Sequence, residues 1–209
     1  MKTRILVLLF LITGCNTPTI REQKDEPSRK VTITLVDSLG QISLSVPARY
    51  DTLFSWIKYS DCGKPCNIQE YRCQPKNLPV TKESGFYWFG EPKDSVDRLT
   101  ITHSSDIRYG PDNAVIDSLR FKNLKLKIID DLINHMMVYD TLQKIGDRYF
   151  SIFALQKEDS IHNIRVLAVT TFKGNEITFR YDLLTRKEDS IKSGFIKNSI
   201  DLIHTIKFN

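Results

Sequence analysis

Val138-Tyr-Asp-Thr-Leu-Gln-Lys-Ile145 and Tyr149-Phe-Ser-Ile-Phe-Ala-Leu-Gln156 flank Gly146-Asp147-Arg148. Ile164-Arg-Val-Leu-Ala-Val-Thr-Thr-Phe172 and Glu176-Ile-Thr-Phe-Arg-Tyr-Asp-Leu183 flank Lys173-Gly174-Asn175. Runs rich in β-branched and aromatic residues, split by glycine-containing turns, predict two consecutive β-hairpins. A helix is expected to follow. Thr185 and Glu188 have the spacing of a capping box. Ile191, Phe195, Ile196, Ser199, Leu202 and Ile203 then fall on one helical face. Gly194 inside that helix costs roughly 1 kcal/mol relative to alanine, which points to close packing there. Ile206 and Phe208 end the chain on a short apolar tail.

Outward from this segment the same alternation recurs. Val31–Leu35 and Gln41–Val46 alternate polar and apolar residues around Asp37-Ser-Leu-Gly40, a strand–turn–strand pattern. Leu53–Ile57 and Ile68–Arg72 flank a second hairpin, with Gly63-Lys64-Pro65 as its tip and Lys58 expected opposite Glu70. Gly85–Phe89 and Arg98–His103 read as two more strands around Glu91-Pro92-Lys93. The stretch from Asp117 to Met136 differs. Phe121, Leu124, Ile128, Leu132 and Met136 recur at spacings of three and four, which predicts an amphipathic helix capped by Asp117 or Ser118. Leu124–Ile128 also alternates, so a strand is the alternative for its first half. The whole is an α+β fold: an antiparallel sheet built from hairpins, with a middle helix and a C-terminal helix packed on it.

Val138 to Phe208 resembles the PsbP-like fold, in which two β-hairpins of an antiparallel sheet lead into a C-terminal helix packed on one face. Gln41-Ile-Ser-Leu-Ser-Val-Pro47 is similar to the early strand-then-proline segment of such domains. The likeness is one of pattern and order over about half the domain, without a signature motif. It implies a scaffold with diverse, mostly non-catalytic roles and carries no active-site residue onto this chain. Tyr50 to Phe89 departs from the family pattern and reads as an inserted hairpin.

The N-terminus carries the sharpest motif. Lys2 and Arg4 precede an apolar run, Ile5–Ile12, and then Thr13, Gly14 and Cys15. A charged start, a short apolar core and small residues before a cut are the marks of an export signal. The run is less than half the roughly 20 residues of a bilayer-spanning helix. Ile12-Thr13-Gly14-Cys15 resembles a bacterial lipobox, which implies cleavage after residue 14 and acylation of Cys15. Two or more acyl chains hold a protein to a bilayer where one does not. Residues 15–29 are polar, contain Pro18 and Pro27, mix charges and read as a flexible tether; a single domain is expected over 30–209. Asn16 after the lipidated cysteine points, by analogy with enteric sorting, to the outer membrane of a Gram-negative cell envelope.

Composition agrees with one ordinary globular domain, at 41% hydrophobic and 26% charged residues. The formal charge of +5 falls to +3 once Lys2 and Arg4 leave, too mild for a nucleic-acid partner. Cys62, Cys66 and Cys73 remain beyond the lipidated cysteine. In an oxidising compartment two of them are expected to pair, by any of three connectivities, contributing about 2–3 kcal/mol as a local staple. The competing reading is a zinc site, but a closed one needs a fourth ligand and none lies nearby in sequence. No metal and no cofactor is expected.

Further candidates for chemistry are weak. His103-Ser104-Ser105-Asp106 holds the residue types of a hydrolase triad, yet triad members meet in space from separate segments. His103, His135, His162 and His204 show no metal-binding spacing, and His135 and His204 are expected near helix C-termini. Asp112-Asn113 after Gly110-Pro111 reads as a turn. The aromatic clusters Phe54/Trp56/Tyr59 and Phe86/Tyr87/Trp88/Phe89 are the candidate binding surface, since exposed aromatic patches mark interaction sites. The expected function is a non-enzymatic binding or accessory module of the envelope, anchored to membrane lipid and engaging an envelope protein or ligand. The alternatives are an immunity-type inhibitor of a toxin at the membrane, and an enzyme whose site is assembled from distant residues.

Overall fold

Two-residue loops set the geometry of the C-terminal half. β6 (Met136–Ile145) and β7 (Arg148–Lys157) join through Gly146 and Asp147, with Gly146 at φ +62°. β8 (His162–Phe172) and β9 (Asn175–Thr185) join through Lys173 and Gly174, both at positive φ. Loops this short need positive φ to match the twist of the paired strands. A Cβ on Gly174 would also lie 2.8 Å from the Gly110 backbone, so that turn is closed against a neighbouring loop. The computed structural model describes residues 26–80, 95–108, 110–112, 114–130, 135–157 and 161–209.

Among the described residues the strands form two antiparallel sheets. The larger runs β3 (Thr52–Lys58), β4 (Ile68–Gln74), β5 (Val96–Ser104), then β9, β8, β7 and β6. The smaller runs β1 (Ser28–Thr34), β2 (Gln41–Pro47) and β10 (Lys207–Phe208). Ser28 and Arg29, tether by composition, already belong to β1, where the Arg29 guanidinium donates to the Tyr50 carbonyl at 2.8 Å. Gly40 closes the β1–β2 turn at φ +131°, and a Cβ there would meet the Asn209 carbonyl oxygen at 2.4 Å. The apolar tail therefore docks as a third strand, with Asn209 and Gln41 exchanging backbone hydrogen bonds at 2.9 Å each way.

One face of the large sheet makes the core. Ile101 on β5 lies opposite Phe179 on β9, and Phe179 lies opposite Ala168 on β8. Tyr71, Cys73, Leu99, Ile164, Val166, Ile177, Tyr181 and Leu183 share that cluster with Val31, Ile33, Ile42 and Leu44 of the small sheet. α2 (Ser190–Ile203) packs on it too and buries Gly194, Phe195, Ser199 and Ile203, the face its spacing predicts. The antiparallel α+β fold is the expected one.

Three expectations are corrected. The middle helix, α1, spans Ala114–Asp130 instead of 117–136. Asp117 is then inside its first turn and bonded to Arg120, and is not the cap. Met136 continues no helix because it pairs with Gln156 in the sheet, and cross-strand hydrogen bonding overrides the local spacing. The α2 cap is Asp189, whose carboxylate accepts from the Lys192 amide at 3.0 Å, and not Thr185, whose hydroxyl accepts from the Lys187 amide. Finally, Lys58 lies opposite Ile68 and Glu70 opposite Trp56. A 3-10 turn at Lys64–Cys66 takes up residues on the β4 side, which shifts the register by two and leaves every side chain on its expected face.

Candidate functional site

β3 is the last strand of the large sheet among the described residues, and its alternation sets up two chemistries. Leu53 and Ile57 point to the core side, opposite Cys73 and Gln69, but at the sheet edge they remain exposed. Tyr59, just past the end of β3, is exposed as well, and Ile68 is exposed on the opposite face. Phe54, Trp56 and Lys58 point to the other face, aligned with Arg72, Glu70 and Ile68. The Phe54 and Trp56 rings stack with centroids 5.5 Å apart. The Arg72 guanidinium lies 4.7 Å over Trp56, a cation–π contact made stronger by its desolvation.

Behind the aromatics that face is charged. Glu70, Arg72, Gln74, Arg98, Thr100 and Asp182 are all buried. Asp182 on β9 gathers three guanidinium groups: Arg165 Nε at 2.7 Å, Arg180 Nε at 3.0 Å and Arg98 Nε at 3.5 Å. Burial would raise the Asp182 carboxyl, but the fields of Arg180, Arg165 and Arg98 outweigh it and hold the group below its ordinary range. Glu70 lies 3.9 Å from Arg72 on the same strand. The layer thus joins β5, β8 and β9 by ionic contacts where apolar packing would be expected. Its signal in the sequence is a set of charges, Arg165, Arg180 and Asp182, in the middle of otherwise apolar strands, a pattern the strand reading passed over.

The cysteines separate cleanly. Cys62 and Cys66 form a disulfide across the hairpin tip, with Cα atoms 5.9 Å apart. Cys73 is a free, buried thiol on β4, facing the core, and burial pushes it up to about 12. A zinc site on the three thiols is therefore not formed; among the described residues no group of three His, Cys, Asp or Glu side chains has metal-binding geometry. Trp56 and Tyr59 are placed as above. Phe86, Tyr87, Trp88 and Phe89, like Cys15, lie outside the described residues.

His103 to Asp106 is no triad. The His103 ring is buried; its Nδ1–H donates to the Ser104 carbonyl at 2.6 Å and its Nε2 accepts from the Tyr71 hydroxyl at 3.4 Å. Tyr71 in turn accepts from the Val36 amide at 3.1 Å, so His103 ties the large sheet to the β1–β2 turn. The Ser104 hydroxyl bonds Asp106 locally. His204 caps the C-terminus of α2 and lies 3.2 Å from Gln143, His162 lies 2.8 Å from Glu188, and His135 precedes β6. Asp112 accepts from the Gly174 amide at 3.1 Å and pairs with Arg148, so it ties its loop to the β8–β9 turn and to β7, and Asn113 lies outside the described residues.

No protein-family model matches the chain, and no curated protein matches it. Among solved structures, the chain is similar to the solution structure of the cyanobacterial PsbP protein CyanoP from Synechocystis sp. PCC 6803, at 10% identity over 88% of this chain and 94% of that one, with a TM-score of 0.44. The class defined by the fold itself is an α+β protein of hairpin-built antiparallel sheet with two helices.

Proposed function

We propose that this chain is a lipid-anchored binding module of a bacterial cell envelope, held by acylated Cys15 and engaging a partner through the β3–β4 hairpin. The observation that carries the binding role is the hairpin's surface. Leu53 and Ile57 are exposed on one face of β3, the last strand of the large sheet among the described residues, Tyr59 is exposed just past its end, and the Phe54–Trp56 stack, Arg72 and exposed Ile68 lie on its other face. Aromatics and arginine are the residue types that dominate binding energy at protein interfaces. A disulfide across the tip limits the loop entropy that binding would otherwise have to remove. Anchoring rests on Ile12-Thr13-Gly14-Cys15 behind a charged and apolar leader.

Two measurements test the halves separately. Intact mass of the protein extracted from bacterial membranes should show a chain beginning at an acylated Cys15, and Cys15→Ala should abolish the acyl mass; an unacylated mature chain removes the anchor. A photo-crosslinking residue at Tyr59 should give one discrete adduct in cells, lost with Ile57→Asp. An adduct pattern unchanged by Ile57→Asp removes the binding surface.

A further inference from the structure

α1 has two apolar sides, and the described residues pack against only one. On the inner side Phe121 stacks on Phe153 of β7 at 5.3 Å, and Leu124 and Ile128 are half-buried. Polar contacts pin the same side: Lys125 Nζ bonds Asp140 of β6 at 2.7 Å, and Arg120 bridges Asp117 and Thr171. On the outer side Ile116, Leu119, Leu126 and Ile129 are 54, 58, 62 and 49% exposed. Spacings of three and seven put them on one stripe, and Lys122 and Lys127 are exposed on its two flanks.

We propose that this stripe rests on the surface of an anionic bilayer, the membrane to which Cys15 tethers the domain; the inference builds on the lipid-anchor reading above. Leucine and isoleucine at the centre with lysines at the margins is the pattern of a helix lying in the membrane interface. Lysine stems reach outward to lipid phosphates while the apolar side chains enter the acyl boundary. The chain between Cys15 and the first described residue adds the second argument. Ten intervening residues span on the order of 20 Å as a coil and at most about 40 Å stretched, comparable to the diameter of a domain this size. Near full stretch the tether lets the α1 face reach the bilayer even though Glu26 enters on the α2 side of the domain, and it supplies an effective concentration that makes a small patch sufficient.

A second copy of the chain fits the stripe less well. Four partly exposed side chains offer roughly 400 Å², about half the ~800 Å² per partner of a standard protein interface.

The test uses the full acylated chain reconstituted into vesicles, with the acyl mass on Cys15 verified first. Leu126→Trp places an indole on the stripe. Its fluorescence, corrected for the unsubstituted chain, should shift to the blue and be quenched at least two-fold by brominated lipid in phosphatidylglycerol-containing vesicles, and much less in phosphatidylcholine alone. α1 amides should exchange several-fold more slowly on the anionic vesicles, α2 amides should not change, and Leu119→Asp/Leu126→Asp should abolish the difference while leaving the acyl group and the urea midpoint in place. An acylated chain whose introduced indole is not quenched, or whose α1 protection instead follows protein concentration through self-association, overturns the proposal. If Cys15 carries no lipid, the anchor reading fails by itself; quenching of the unacylated chain at millimolar anionic lipid then decides the stripe, and its absence there overturns it too.

Discussion

Arg165 on β8 and Asp182 on β9 lie directly opposite each other, and the guanidinium Nε donates to the carboxylate at 2.7 Å. With Arg180 and Arg98 on the other oxygen, this buried carboxylate is the hub of the charged layer. Removing it leaves buried Arg98 without that counter-charge. Asp182→Ala should therefore cost about 3–5 kcal/mol, the usual penalty for breaking a buried pair from one side. The carboxyl is held below its ordinary 3.8, so its contribution is fully present above about pH 4 and is lost as pH falls through the lower folded value. Urea midpoints between pH 3 and pH 7 should fall on the acid side for the unsubstituted chain and flatten there in Asp182→Ala. An unchanged midpoint in the variant would show that the layer contributes nothing to folding.

His103 predicts a second pH dependence, at higher pH. Burial pushes its imidazole below the ordinary 6.5, against the smaller opposing effect of the Ser104 carbonyl. The unfolded chain then binds the proton more readily than the native one. Stability from the neutral ring is complete above about pH 6.5 and declines as pH falls from there through the folded value. His103→Gln should remove that portion of the slope, read as the urea midpoint between pH 8 and pH 5. A slope identical in variant and parent would mean another group titrates.

The thiols should behave as two separate kinds. Burial raises the Cys73 thiol to about 12, so the native protein should resist alkylation there at neutral pH and react on unfolding. Cys62→Ser/Cys66→Ser opens a loop of only a few residues and should lower stability by about 2 kcal/mol. Peptide mapping of native and denatured samples checks the first. Rapid native labelling of Cys73 would place it at the surface and refute its position on β4.

Capping gives the sharpest contrast between neighbours. Asp189→Ala removes the acceptor for the Lys192 amide and should cost about 1 kcal/mol. Thr185→Ala should cost less, since its hydroxyl serves only the Lys187 amide in the preceding turn. Denaturant titrations of the two variants decide; equal losses would mean that the cap is shared.

Local sequence carried the elements well and their partners poorly. The β6–β7 and β8–β9 hairpins were legible because alternation and two-residue turns are set by neighbours in the chain. The buried face of α2 was legible for the same reason, since helical spacing alone brings Phe195, Ser199 and Ile203 together. Local rules failed where two were compatible. Met136 fits the helical spacing that begins at Phe121, but the hydrogen bonds available from Gln156 and its neighbours favour β6. Asp117 has the composition of a cap and became a buried partner of Arg120, whose guanidinium also bonds Thr171, 51 residues from Arg120 along the chain.

By itself the sequence determined the α+β class, the order of the hairpins, the C-terminal helix and its inner face, because these follow from periodicity and turn chemistry within about 20 residues. Only the tertiary structure decided that Cys62 pairs with Cys66 while Cys73 faces the core, since pairing of β4 with both β3 and β5 buries Cys73 away from the hairpin tip. It also decided that Arg98, Arg165, Arg180 and Asp182 converge on one sheet face, and that Phe208 docks beside β2. Those outcomes depend on strands distant in sequence becoming neighbours. Charges on such strands carry no local mark of the partner that will neutralise them.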